Sequence, residues 1–177
     1  MATVNECFIN ALNDEKKGKK HKGLLLVKKD DKKAEEYLNK AKTNLRVCDL
    51  YKNNQLEYKI PEEWFYTMYY CALAVLAKFG VESRSQKCTA LFMKYIKESG
   101  IIEYDSEFID RITVYSDKTE TSDVDEREKA RYRSSIRSEE ILQKYDFMMN
   151  KCKRCIDQCE TIIFSEKKFD LTKYLLQ

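Results

Sequence analysis

An apolar and aromatic segment in the middle of the chain constrains the fold more than any other feature. It runs from Trp64 to Phe79 with Lys78 as its only charged side chain, and Gly80 follows directly. A helix that is apolar on every side has to be surrounded by other elements, so this segment predicts the central helix of a core. Pro61 suits its first turn and Gly80 its end. The segment is too short to cross a bilayer comfortably, so we expect no membrane association.

The rest of the chain supplies the partners that such a helix needs. Of its 177 residues, 43% are hydrophobic and 36% are charged, with four glycines and one proline. Few helix breakers and many charged residues favour long amphipathic helices, so we predict an all-α antiparallel bundle of about five or six helices. We expect an N-terminal helix and lysine-rich loop over 1–29, the bundle over 30–164 and a C-terminal tail over 165–177.

The N-terminal segment is expected to contain one short helix over 5–14 followed by a lysine-rich loop. The stretch from Leu24 to Val27 is expected to dock on the core as a short extended or helical piece. His21 lies among lysines in this loop, where we expect no rigid surroundings of the kind that a general base needs. The residues expected to face the core from the short helix are Phe8, Ile9 and Leu12.

Apolar residues at helical spacing predict the remaining helices. We expect one helix from Asp30 or Asp31 onward, one capped by Ser85, a short one over 106–115 and a last long one over 125–164. The core stripe of the first is expected to be Ala34, Leu38, Ala41, Leu45 and Cys48. The core stripe of the last long helix is expected to be Ile141, Tyr145, Met148, Cys152, Cys155, Cys159 and Ile162.

The seven cysteines need an explanation of their own. No export signal precedes them, so we expect reduced thiols and a cytoplasmic location. The spacing of Cys152, Cys155 and Cys159 also occurs in metal sites, but all three fall on one face of the expected helix. Core packing is therefore the favoured interpretation, and we expect neither a metal nor a cofactor.

Two basic segments are candidate ligand sites. One is the polar crossing after the central helix, and the other lies near the start of the last helix. A bundle can bring them together as an arginine-rich groove for phosphate or an acidic partner, although solvated helix ends account for the same charges. The lysines between Lys16 and Lys33 are expected to be a solvated loop or a non-specific phosphate contact. The candidates are Arg84, Gln86, Lys87, Arg127, Arg131 and Tyr132.

Three tyrosines of the central helix allow a further interpretation. Tyr66, Tyr69 and Tyr70 are mostly expected to be core residues. A stacking platform for nucleic-acid bases is the alternative, and the sequence disfavours it because no basic stripe is evident on the same face.

Four segments together resemble the HEPN (higher eukaryotes and prokaryotes nucleotide-binding) superfamily in order and spacing. They are Asp30–Ala41, Trp64–Leu76, Gly80–Cys88 and Arg127–Tyr132, and the resemblance extends from Phe8 to Ile163. It implies a helical bundle, often a homodimer, that binds RNA or nucleotide. Many members are metal-independent ribonucleases or toxins that use an arginine and a histidine, sometimes with a nucleotidyltransferase as the antitoxin partner.

One position departs from the pattern of that family. Where relatives commonly read Arg-Ser-His, this chain reads Arg84-Ser85-Gln86. Glutamine has no titratable nitrogen, so we expect binding of RNA, nucleotide or a partner protein without efficient catalysis. Arg84 and Arg131 would clamp phosphate, Gln86 would donate hydrogen bonds and Tyr132 would stack. The alternatives are a ribonuclease toxin, with Arg84 and Gln86 as catalytic candidates, and a scaffold for protein interactions.

Overall fold

The computed structural model describes residues 3–113 and 138–166. Within these ranges, six α-helices form a bundle and two short strands form the one sheet. The helices are α1 (Val4–Lys16), α2 (Asp31–Asn53), α3 (Ile60–Phe79), α4 (Gln86–Glu98), α5 (Ser106–Ile112) and α6 (Ser138–Ile163). The strands are β1 (Leu24–Leu26) and β2 (Val81–Ser83), and a 3-10 turn, Glu57–Lys59, precedes α3. The all-α fold predicted from the sequence is confirmed.

Helix α3 lies at the centre of the core, as its apolar sequence predicts. Most of its 20 residues are buried, Trp64 and Phe65 among them. Pro61 lies in its first turn, and Gly80 ends it in the left-handed conformation with φ of 73°. Helices α2 and α6 pack along its length, while α4 and α5 contact its remaining sides. None of the helices in the described ranges is long and apolar enough to span a membrane.

The two long helices beside α3 bury the stripes that their sequences predict. Helix α2 buries Ala34, Leu38, Ala41, Leu45 and Cys48. Helix α6 buries all seven expected residues from Ile141 to Ile162, including its three cysteines. Two of these thiols donate to backbone carbonyls of α3, Cys152 to Trp64 and Cys159 to Cys71. The cysteines of α6 are therefore core residues, as the helical spacing predicts.

Helix α1 turns a different face to the core than the sequence suggests. Its buried residues are Cys7 and Ala11, whereas Ile9 is 55% exposed and Leu12 is 51% exposed. A disulfide joins Cys7 to Cys88 at the start of α4, and this bond holds the Cys7 face inward. The expected inward face was wrong for Ile9 and Leu12, and it is confirmed for Phe8, which packs against the core. The expectation of seven reduced thiols was also wrong, because five cysteines are free.

The polar crossing after α3 begins as strand β2, and Gln86 and Lys87 at its end belong to the first turn of α4. Strand β2 pairs antiparallel with β1, with Leu24 opposite Ser83 and Leu26 opposite Val81. This pairing places the end of the lysine-rich segment beside the end of α3. Helix α5 ends at Ile112. The expected start of the last helix at 125, with Arg127, Arg131 and Tyr132, lies outside the described residues, as does the tail after 166.

Candidate functional site

A cleft opens where the start of α2, the end of α3 and strand β2 meet. Its volume is about 230 Å³. Ala77 and Val81 are buried at its base, while Lys28 at its edge is exposed. The cleft joins the lysine-rich segment to the crossing after α3, which the sequence presents as separate features. The lining residues are Val27, Lys28, Asp30, Lys33, Tyr37, Leu73, Ala77, Val81, Glu82 and Ser83.

The start of α2 is held against the end of α3 by contacts of two aspartates. The Asp30 carboxylate accepts the backbone N–H of Lys33 at 2.9 Å and caps the helix, as expected for this residue type. The Asp30 N–H donates to the carbonyl of Ala77 at 3.3 Å. Lys78 of α3 pairs with Asp31 at 3.0 Å. These contacts fix the position of the helical turn that carries Lys33 into the cleft.

Two glycines allow β1 to approach its neighbours closely. The N–H of Val27 donates to the carbonyl of Gly80 at 2.8 Å, and a Cβ on Gly80 would lie 2.6 Å from the Val27 carbonyl oxygen. A Cβ on Gly23 would lie 2.2 Å from the carbonyl oxygen of Cys7 in α1. A side chain at Gly23 would force apart β1 and α1, and one at Gly80 would force apart Val27 and the end of α3.

A histidine, a glutamate and an arginine form a chain of hydrogen bonds beside the cleft. Nε2 of His21 lies 3.2 Å from Oε1 of Glu82, and Nε of Arg84 donates to the same oxygen at 2.8 Å. The N–H of Gly23 donates to Nδ1 of His21 at 3.4 Å, which assigns the proton of the neutral ring to Nε2. His21 is only 3% exposed. The expectation that His21 lacks rigid surroundings was therefore wrong.

The Glu82 carboxylate is the centre of this chain. Burial by itself raises the pKa of Glu82, but hydrogen bonds from His21 and Arg84, with the charges of Arg84 and Lys33, hold it below its ordinary value. Glu82 is therefore ionised at neutral pH. Its charge fixes the guanidinium of Arg84, whose side chain remains 47% exposed. His21 is enclosed, so it positions Glu82 rather than touching a ligand in the cleft.

The crossing residues that the sequence singles out point to different neighbours. Arg84 turns back to Glu82 of β2, and its backbone N–H donates to Gly23 at 3.2 Å. Ser85 caps α4 by accepting the N–H of Cys88 at 3.3 Å, as predicted. The Gln86 amide donates to the carbonyl of Ile112 at 3.3 Å and so ties α4 to α5. Lys87 is exposed on the first turn of α4.

The predicted groove between Arg84 and the basic segment of the last helix stays a prediction, because Arg127, Arg131 and Tyr132 lie outside the described residues. What the structure does bring together is Arg84 with Glu82 and His21, beside Lys28 and Lys33. The sequence shows these lysines as a charge-rich run. A local pattern does not indicate which helix end a loop packs against, so the sequence does not place the lysines next to Arg84.

Comparison with known proteins identifies no relative of this chain. The chain matches no protein-family model, no curated protein and no solved structure. Among the described residues, no group of three histidine, cysteine or acidic side chains is arranged to hold a metal ion. The resemblance to the HEPN superfamily therefore stays a hypothesis from the sequence.

Proposed function

We propose that this chain is a HEPN-like helical protein that binds RNA or nucleotide through phosphate groups at the cleft between α2, α3 and β2. The observation that carries the proposal is the convergence of cations from separate segments. Lys28 and Lys33 line the cleft, and Arg84 lies next to its lining residue Glu82. Phosphate is bound well where ammonium and guanidinium groups converge, because several charge-assisted hydrogen bonds then form at once.

The carboxylates of the cleft are already engaged by the protein. Asp30 caps α2, and Glu82 accepts from His21 and Arg84. In the described ranges, neither Lys28 nor Lys33 forms a salt bridge with a carboxylate. Lys28 is therefore available to an anion that enters the cleft, and Lys33, whose charge also acts on Glu82, lies at the same cleft without a direct ion pair to a described residue. The guanidinium of Arg84 uses its Nε–H for Glu82, and the terminal nitrogens of a guanidinium carry four further N–H donors.

Binding without efficient turnover is the second part of the proposal. The one histidine of the chain is enclosed, with both ring nitrogens in hydrogen bonds. Gln86 has no titratable nitrogen and its amide donates to Ile112. A general acid or base must reach the proton that it transfers, so neither residue supports fast phosphodiester cleavage. The alternative is a metal-independent ribonuclease toxin in which Arg84, oriented by Glu82, stabilises the charge of the transition state.

The test is RNA affinity measured by fluorescence anisotropy over a series of salt concentrations. We expect Lys33→Gln and Arg84→Gln each to weaken binding and to lower the slope of log K against log salt by about 0.7 per lost phosphate contact. Lys153→Gln is the matched control, because Lys153 is exposed on α6, which contributes no residue to the cleft. Equal affinity of all variants, or affinity independent of salt, would refute phosphate binding at this cleft.

The same protein preparations separate the alternatives. Metal-free RNA cleavage that disappears in Arg84→Gln would identify the chain as a nuclease and overturn the non-catalytic part of the proposal. Absence of RNA binding together with a co-purifying protein would indicate a scaffold. Cleavage that appears only in Gln86→His would support a binding protein related to HEPN nucleases.

We extend the proposal to a homodimer in the cytoplasm, with a nucleotidyltransferase as a candidate partner. Light scattering during size-exclusion chromatography measures the oligomeric state, and co-purification tests the partner. A cytoplasmic location requires the disulfide between Cys7 and Cys88 to persist among reducing thiols, where such bonds are rare. Both cysteines are buried, which limits access of a reductant. Thiol counting on protein extracted under alkylating conditions tests this point.

A further inference from the structure

Two stacked tyrosines continue the cleft along the contact between α2 and α3. The ring centres of Tyr37 on α2 and Tyr70 on α3 are 6.1 Å apart, and the ring planes differ by 19°. Tyr66 lies one turn earlier on α3, with its ring centre 5.8 Å from that of Tyr70. Tyr37 also lines the cleft. A row of aromatic rings therefore begins in the cleft and extends away from it between the two helices.

A lysine accompanies the stacked pair. Nζ of Lys40 lies 5.5 Å from the ring centre of Tyr37 and 5.7 Å from that of Tyr70. Lys33, Tyr37 and Lys40 follow each other at spacings of four and three residues, which places them on one face of α2. The basic stripe that the α3 tyrosines lack in the sequence is thus contributed by the neighbouring helix. Lys33 lies at the cleft end of this stripe, and Lys40 lies over the rings.

The pair is only partly withdrawn from solvent. Tyr37 and Tyr70 are both half-buried, in contrast to the enclosed aromatic residues Trp64 and Phe65 of the same helix pair. Burial, then the neighbouring phenol of Tyr66 and the charge of Glu63, raises the pKa of Tyr70, so its phenol is neutral at neutral pH. Tyr37 uses one side of its ring to stack on Tyr70 and still borders the cleft.

We propose that Tyr37 and Tyr70 form a stacking platform for an unpaired base, and that the cleft consequently binds single-stranded RNA in preference to duplex RNA. This inference rests on the phosphate binding proposed above. Lys33 and Lys40 lie one turn before and one turn after Tyr37 on the same face of α2, so phosphates on both sides of a base stacked on this ring would meet a cation. Bases in a duplex stack on each other and cannot reach the rings, whereas the face of any unpaired base can stack on an aromatic side chain.

Binding of three probes separates stacking from phosphate contacts. The probes are a fluorescent single-stranded RNA, the same sequence as a duplex, and inorganic polyphosphate, which has charge but no bases. We expect Tyr37→Leu to weaken single-strand binding by about 5- to 150-fold, the range found when one base loses an aromatic partner. Affinity for duplex and polyphosphate should stay within about twofold. Tyr37→Phe keeps the ring and should restore single-strand binding.

A spectroscopic probe tests the platform without any substitution. RNA carrying 2-aminopurine should lose fluorescence when the base stacks on tyrosine in the parent protein, and Tyr37→Leu should abolish this quenching. Lys40→Gln provides a second variant, because Lys40 is exposed and its replacement leaves the core intact. As a proposed phosphate contact, Lys40 should matter for single-stranded RNA and polyphosphate to a similar extent, whereas Tyr37→Leu should weaken only the binding of single-stranded RNA.

The outcomes distinguish this inference from the proposed function. Unquenched 2-aminopurine in bound RNA, or a Tyr37→Leu protein that loses affinity for all three probes equally, would overturn the platform. If Lys33→Gln still weakened RNA and polyphosphate binding, the proposed phosphate site would stand without the platform. A parent protein that bound neither RNA nor polyphosphate would refute both.

Discussion

The disulfide between Cys7 and Cys88 should contribute a large part of the stability of this protein. The two cysteines are 81 residues apart, so the bond closes a long loop in the unfolded chain. The loop-closure treatment gives about 4.5 kcal/mol for a loop of this length, and measured disulfides usually contribute about 2–4 kcal/mol. For a chain of this size, loss of about 2–4.5 kcal/mol from the free energy of unfolding lowers the melting temperature by about 4–18 °C.

The measurement is thermal unfolding followed by circular dichroism. The parent protein is compared in its oxidised form and after reduction in denaturant followed by refolding with a reductant. The double variant Cys7→Ala, Cys88→Ala is the matched control, and its melting temperature should not respond to reductant. We also expect reduction to weaken ligand binding, because Gly23 packs against the Cys7 carbonyl and accepts the backbone N–H of Arg84.

Two results would refute this reasoning. The first is an unchanged melting temperature after reduction has been verified. The second is a count of seven reactive thiols in denatured, unreduced protein, where the structure has five free cysteines. Either result would mean that α1 is held in place by packing alone.

Three other perturbations test separate parts of the structure. Gly80→Ala should lower the free energy of unfolding by at least about 1–2 kcal/mol, because an L residue is strained at this φ and its Cβ would meet Val27; an unchanged urea midpoint would contradict the close approach. Glu82→Gln should destabilise the protein at neutral pH. Folding lowers the pKa of Glu82, so the ionised carboxylate stabilises the folded state at pH values above the ordinary carboxyl pKa. That difference should shrink as pH falls through the folded pKa, and urea midpoints that differ equally at neutral pH and about pH 3 would argue against it. Burial, then the charges of Glu63 and Asp49, raises the pKa of Cys48 to about 12, so the native thiol should resist iodoacetamide at about pH 8 and react after unfolding, as mass spectrometry would show.

Local patterns in the sequence determine the helices of this protein and most of their inward faces. The stripe of α2 from Ala34 to Cys48 is buried as its spacing predicts. The caps at Asp30, Ser85 and Gly80 also lie where their residue types predict. These features are readable because a helix repeats every 3.6 residues and its ends need particular side chains nearby in the chain.

The candidate site was decided by contacts between residues far apart in the chain. His21 meets Glu82, Tyr37 meets Tyr70, and Cys7 bonds to Cys88. Helix α1 is a further example, because its apolar residues allow more than one inward face. The face that is buried is the one with Cys7, which forms the disulfide to α4. Periodicity states which face of a helix is apolar, but it carries no information on which partner that face meets. The meeting of α2, α3 and β2, and with it the cleft, therefore depends on tertiary packing.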